Sequence, residues 1–84
     1  GNVMIFVEPG TEATVVANMA RHVAPGGHLI AGFQLDRSFG VDSYAAAAAG
    51  AGLEHVARFS TWEGDPWVPG GGYAVNIDRI PDHR

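Results

Sequence analysis

Ala20 to Phe33, reading ARHVAPGGHLIAGF, limits what this 84-residue chain can fold into more than any other stretch. Upstream of it, apolar residues fall at Val15, Val16, Met19, Ala20 and Val23, an i, i+1, i+4, i+5, i+8 stripe that predicts a helix over 12–23. Pro25 disfavours helical geometry at Ala24, and Gly26 or Gly27 can take the positive φ that reverses the chain. The run that follows at once, Leu29 to Phe33, is apolar without alternation, as expected of an interior parallel strand covered on both faces. Gly32 inside that strand points to the close approach of another backbone or of a ligand. A helix feeding a buried strand through a Pro-Gly-Gly turn places the chain in the α/β class.

The remaining segments fit that class. Val3 to Val7 is a five-residue apolar run that periodicity alone leaves open between a buried strand and an apolar turn. Thr11 is the expected N-cap of the first helix, its hydroxyl accepting from an N–H of the first turn. Val41 to Ala49 carries five consecutive alanines, the strongest helix formers, and is closed by Gly50 and Gly52. So short a helix survives only by docking on a sheet. Glu54 to Trp62 predicts a strand with His55, Ala57 and Phe59 on one face, and Tyr73 to Ile80 a last strand with Tyr73, Val75 and Ile77 set against Ala74, Asn76 and Asp78. Two strands with no helix between them are antiparallel neighbours or nearly so. Their connection, 63–72, is rich in Gly and Pro and longer than a tight hairpin loop.

Composition narrows the function classes. The formal net charge is −4, there is no lysine, and the arginines are scattered, which opposes recognition of a nucleic-acid backbone. No apolar run approaches a membrane span and no signal-like segment opens the chain, so the expected setting is the cytoplasm with no membrane partner. No cysteine is present, and His22, His28, His55 and His83 lack metal-ligand spacing, so no metal site is expected. Ser38, Ser43 and Ser60 lack a nucleophile elbow, and Gly70-Gly71-Gly72 precedes a strand and not a helix, so it is no phosphate cradle. Charged residues make up 17%, against about 25% on average, which suggests that part of the surface is normally covered. Two helices are also too few to cover both faces of the 29–33 strand. Residues 1–84 therefore read as one piece of a larger α/β domain, with the missing part upstream.

Asn2-Val3-Met4-Ile5-Phe6-Val7, the amphipathic helix, and Val23-Ala24-Pro25-Gly26-Gly27-His28-Leu29-Ile30 together resemble the second half of class I S-adenosylmethionine-dependent methyltransferases, of the bacterial small-molecule type. Tyr44 with Ala49-Gly50-Ala51-Gly52-Leu53 is similar to the helix of that family that ends in A-G-L, and Thr61-Trp62-Glu63-Gly64 before Tyr73-Ala74-Val75 resembles its final hairpin. The resemblance implies a partial Rossmann-like fold in which the last strand inserts antiparallel. It also implies that 3–7 form a loop or helical turn in the intact enzyme, strand or turn staying open for the fragment, and that in the isolated chain the edge of strand 29–33 stands open, inviting self-association. The family's glycine-rich cofactor loop and its ribose-binding acid belong to the half that is not in this sequence, so S-adenosylmethionine is the cofactor of the intact enzyme and the fragment alone is expected to be inactive.

By the same resemblance Asn2 and Met4 lie near the cofactor or substrate, with Met4 and Phe6 as plain core residues the alternative. Ligands of open α/β sheets bind beyond the carboxyl ends of the parallel strands, which selects Phe33, Gln34, Asp36 and Arg37 after the central strand and Trp62 and Trp67 on the last loop as lining for a small-molecule substrate. Asp36 suits a general base, or a solvated ion pair with Arg37. Trp62 and Trp67, flanking Glu63 and Asp65, suit an aromatic and acidic wall, or a cap on the core. No catalytic residue is assigned, because methyl transfer from a sulfonium is an in-line displacement governed by positioning. Two other classes remain open: a fragment of a nicotinamide-dependent Rossmann oxidoreductase, and a non-catalytic interaction module.

Overall fold

A computed structural model describes residues 2–8, 10–35 and 40–81. The elements run β1 (Asn2–Val7), α1 (Glu12–His22), β2 (His28–Gln34), α2 (Val41–Gly50), β3 (Glu54–Phe59) and β4 (Tyr73–Arg79). They form a mixed four-stranded sheet in the order β1-β2-β4-β3. β1 is parallel to β2, and β4 runs antiparallel to both β2 and β3. The last strand thus inserts between its predecessors, as the family resemblance implies. The α/β class with an antiparallel final strand is what the structure contains.

Each element ends where its residues dictate. Thr11 caps α1 through its carbonyl, which accepts from Val15 N–H at 2.9 Å, but its hydroxyl does not serve the first turn. It donates instead to the Glu8 carbonyl at 2.7 Å, so the expected side-chain cap is replaced by a bond that closes the turn out of β1. Gly26 takes φ +82°, its N–H bonds the Ile80 carbonyl, and Ile80 N–H returns to Gly27, so the Pro-Gly-Gly turn is stitched to the end of β4. α2 closes with Leu53 N–H on the Ala48 carbonyl and Gly52 N–H on Ala49, a Schellman pair that needs the left-handed Gly52 at φ +83°. Leu53 then folds into the core.

Both helices lie on one face of the sheet. There Val7, Val16, Leu29, Phe33, Tyr44 and Ala48 make a single core with the alanine face of α2, and Phe33 stacks on Tyr44 with ring centroids 4.7 Å apart. The molecule is a two-layer slab of 35 × 25 × 16 Å.

Two expectations need correction. Asn2–Val7 is a strand and not a loop or turn: it pairs along its whole length with β2, from Asn2 opposite His28 to Val7 opposite Phe33. The β2 edge is therefore closed, because a β-rich apolar run beside an open parallel edge gains a full ladder of hydrogen bonds and packs Val3, Ile5 and Val7 against the core. The second concerns β3. His55 lies opposite Asp78 and Ala57 opposite Ile77, so Val56 is an extra residue in a β-bulge. The bulge moves His55 off the face of Ala57 and Phe59 and onto the helix-covered face with Arg58. β3 also ends at Phe59, leaving Trp62 in the loop.

Replacing Gly52 by Ala puts a Cβ on a left-handed residue and should cost about 1–2 kcal/mol. Urea unfolding should show a lowered midpoint with an unchanged slope, whereas Gly50→Ala, within the helix, should leave the midpoint level or raise it.

Candidate functional site

β1, β2 and β3 share one direction, so their carboxyl ends meet at one edge of the sheet together with the start of β4. On the face that carries no helix, a group of aromatic residues gathers at this edge. Trp62 lies flat over Gly32 with its Nε1–H donating to the Tyr73 hydroxyl at 2.9 Å. A Cβ on Gly32 would stand 2.3 Å from Trp62 Cζ2 and 2.5 Å from Tyr73 Oη, so the close approach that Gly32 announced is made by these two side chains. Phe6 stacks on Tyr73 with centroids 6.5 Å apart and remains 55% exposed, as Trp62 remains 43% exposed. The result is a rigid aromatic surface with one side open.

The loop that carries Trp62 is ordered by its own polar groups. Thr61 Oγ1 donates to Asp65 Oδ2 at 2.7 Å and accepts from Glu63 N–H, Ser60 N–H bonds the Asp65 carbonyl, and Ser60 Oγ bonds the Pro66 carbonyl. Asp65 is thereby occupied in the turn. Trp67 packs against the helix-side core with the Arg58 guanidinium 5.6 Å from its ring centroid, so the two tryptophans lie on opposite sides of the sheet and form no common wall.

The other sequence candidates are placed as follows. Gln34 is exposed at the carboxyl end of β2, beside Tyr73 in register. Phe33 is fully buried on the helix side, its ring turned away from the aromatic edge. Met4 lies mid-strand on the open face and Asn2 at the amino end of β1, about 13 Å along the strand from Phe6. Asp36 and Arg37 lie outside the described residues. Among the described residues no three His, Cys, Asp or Glu side chains come together to hold a metal, and no helix is long and apolar enough to cross a membrane.

A second cluster sits toward the opposite, amino-terminal end of the parallel strands, under α2. Asn76 and Asp78, on the face of β4 that alternation sets against its apolar side chains, are 1% and 2% exposed. Asn76 accepts from Arg58 Nε at 2.8 Å and donates through Nδ2 to Asp78 Oδ2 at 2.8 Å, while His55 Nδ1 stands 3.7 Å from Asp78 Oδ1. A cavity of ≈ 100 Å³ opens between these groups and Ala45, Ala48 and Ala49. Burial pushes the Asp78 carboxyl above its usual range, against the opposing pull of Asn76, His55, Tyr44 and Arg58. The Tyr44 hydroxyl is buried with no well-formed hydrogen bond among the described residues; its own burial first, and then the Asp78 charge, raise it far above a normal phenol. Sequence reasoning missed this cluster and Tyr73. The signal was Asn76-Ile77-Asp78 in a strand with neighbours on both sides, where a polar alternate side chain must find partners inside.

Among solved structures, the chain superposes on a TehB-like SAM-dependent methyltransferase from Corynebacterium glutamicum with a TM-score of 0.77, at 21% identity, over 92% of this chain and 46% of that one. The fold is methyltransferase-like. At that identity the likeness shows the fold alone, and the chain spans about half the length of the structure it matches. No family model and no curated protein matches the sequence. Within the methyltransferase-like sheet, the aromatic edge occupies the side where open α/β sheets take ligands, and the polar cluster does not.

Gly32→Ala should displace the Trp62 indole, shift tryptophan emission to longer wavelength and destabilise the chain by about 1–3 kcal/mol. Adding Trp62→Ala should recover part of that loss, since the clash then has no partner; equal loss in the double variant would show the glycine acting elsewhere. For Asp78, the folded state keeps its proton to a higher pH than the unfolded chain, so its favourable contribution is present below the ordinary value of 3.8 and is lost as pH rises through the folded value. The stability of Asp78→Asn relative to the parent should therefore climb as the pH rises above the ordinary carboxyl value of 3.8 and through the higher folded value. Thermal melts of both across that range check the sign, and a flat or falling difference would contradict it.

Proposed function

We propose that this chain forms the substrate side of an S-adenosylmethionine-dependent methyltransferase that acts on a small-molecule acceptor, and that it depends on a preceding half for the cofactor. The single observation that carries this reading is the superposition, which takes in nearly all of this chain and about half of a SAM-dependent methyltransferase. In this reading the acceptor rests against Trp62 and Tyr73, with Gln34 beside it, and Asp36 and Arg37 are kept as substrate-binding residues on the sequence alone. Phe33 contributes from beneath, by holding the end of β2 against Tyr44. Trp67 supports the loop from the far side of the sheet through Arg58.

The residues present fit the cofactor only in part. Met4 and Phe6, 66% and 55% exposed, offer apolar surface to an adenine ring, and Asn2 offers an amide. However, the segment between β1 and α1, Glu8-Pro9-Gly10-Thr11, holds a single glycine and the Thr11 hydroxyl is given to the Glu8 carbonyl, so this connection is not a glycine-rich turn that could receive the methionine end. When bound, the cofactor supplies an activated methyl group. What these residues add is orientation: a fixed indole and phenol hold a planar or apolar acceptor in line, and exclude water from one side of it.

Titration calorimetry of the 84-residue chain with S-adenosylmethionine should give no saturable heat, and saturable micromolar binding would overturn the assignment of the cofactor anchor to another half. In the longer protein, Trp62→Ala should raise KM for the acceptor roughly tenfold and leave KM for S-adenosylmethionine unchanged.

A further inference from the structure

Arg58 is a half-buried cation with more donors than partners. Its Nε–H serves Asn76 Oδ1 at 2.8 Å and its guanidinium lies over the Trp67 ring, which together fix the head group. Its terminal N–H groups have no acceptor and no carboxylate partner among the described residues. Asp78 supplies none. Its Oδ2 accepts from Asn76 Nδ2 at 2.8 Å, and its Oδ1 makes no well-formed hydrogen bond among the described residues, since His55 Nδ1 stands 3.7 Å away. The Tyr44 hydroxyl, buried nearby, is likewise without a partner. Arg58, His55, Asn76 and Asp78 all line the cavity of ≈ 100 Å³ beneath α2, and Ala45, Ala48 and Ala49 form its apolar wall. The lining comes wholly from α2, Leu53, β3 and β4, and none of it from β1. His55, Ala45 and Ala49 are exposed, so the cavity reaches solvent on that side.

From these unpaired groups we infer that the cavity is a binding site for a short-chain carboxylate of about the size of acetate, held by Arg58 and Asp78 with its alkyl end against the alanines. Charge selects the ligand class. Arg58 stays protonated at every working pH and matches a carboxylate in geometry, and it disfavours any cation in the same space. Asp78 would repel an anion only if ionised, but its burial favours the neutral acid, which donates a hydrogen bond instead. The groups that face it are Tyr44 from α2, His55 and Arg58 from β3, and Asn76 beside it on β4, none of them another carboxylate. The chain as a whole carries −4, so general attraction of anions does not account for binding here. Size sets the chain length: a cavity of about 150 Å³ takes a benzene ring, so one of ≈ 100 Å³ takes a few heavy atoms and no ring. The site lies toward the opposite end of the strands from Trp62 and Tyr73, and it does not rest on the methyltransferase reading.

The tryptophans report on the two ends separately, Trp67 over Arg58 and Trp62 on the far face of the sheet. In heteronuclear NMR spectra of the 84-residue chain at about pH 6 and constant ionic strength, sodium acetate should shift the Trp67 indole N–H and the Arg58 and Asn76 amides along one saturable curve. The Kd should fall in the millimolar range, as suits so few ligand atoms, and the Trp62 indole should not move. Sodium chloride and sodium benzoate should not reproduce the curve. Arg58→Gln should weaken acetate binding roughly tenfold or more. Asp78→Asn keeps a donor and removes any negative charge, so it should bind acetate at least as tightly as the parent. Ala45→Leu, at an exposed helical position that tolerates leucine, should block the cavity and abolish binding while circular dichroism shows the fold intact. A parent chain that shows no saturable shift, or the same curve with chloride, would overturn the proposal. So would a folded Arg58→Gln or Ala45→Leu variant that binds like the parent, or a folded Asp78→Asn variant that binds more weakly.

Discussion

The antiparallel insertion of β4 between β2 and β3 is the constraint on which the rest of the molecule depends. It pairs Gln34 with Tyr73 at one end of the ladder and His28 with Arg79 at the other, and so sets which side chains share each face. Toward the helices it presents Ala74, Asn76 and Asp78; toward the open face, Tyr73, Val75 and Ile77. Because β4 has strands on both sides, neither set can reach water at the strand's flanks. The polar set is instead satisfied internally by Arg58 and His55, and the open set is partly roofed by Trp62.

This one insertion produces two chemically distinct ends. At the carboxyl ends of the parallel strands, Tyr73 is brought beside Gly32, and the missing side chain of Gly32 leaves a place for the Trp62 indole. The surface there is aromatic, fixed and open. Toward the other end, the insertion buries a carboxyl group under a helix whose contact face is mostly alanine, which brings the backbones close but offers the carboxyl no well-formed hydrogen bond among the described residues. A carboxylate so placed costs more than its neutral form, which is why its proton is held more tightly in the folded chain. One end is suited to holding a ligand, and the other ties folding to pH.

Much of the fold was legible because its signals are local. The stripe from Val15 to Val23, Pro25-Gly26-Gly27 and the alanine run each fix an element within a few residues, and both helices end within a residue of where those signals place their ends. The antiparallel last strand was legible through resemblance. The site was less so. The glycine in β2 announced a close approach, but neither Trp62 nor Tyr73 could be named as the group that makes it, since they lie 30 and 41 positions away (62 − 32 and 73 − 32). Trp62 and Trp67, near neighbours in sequence, lie on opposite sides of the sheet because the Phe59–Pro66 bridge turns the loop back between them.

By itself, then, the sequence determined the class, the two helices with their ends and the antiparallel last strand pair, because turn chemistry and apolar periodicity act over one or two turns of chain. Only the tertiary structure decided whether Val3 to Val7 would be strand or turn, which face of β4 lies inside, and where a bulge would place His55. Those outcomes depend on which edge is free to pair and on which layer covers which face. Such quantities belong to the assembled sheet and are not carried by any single segment.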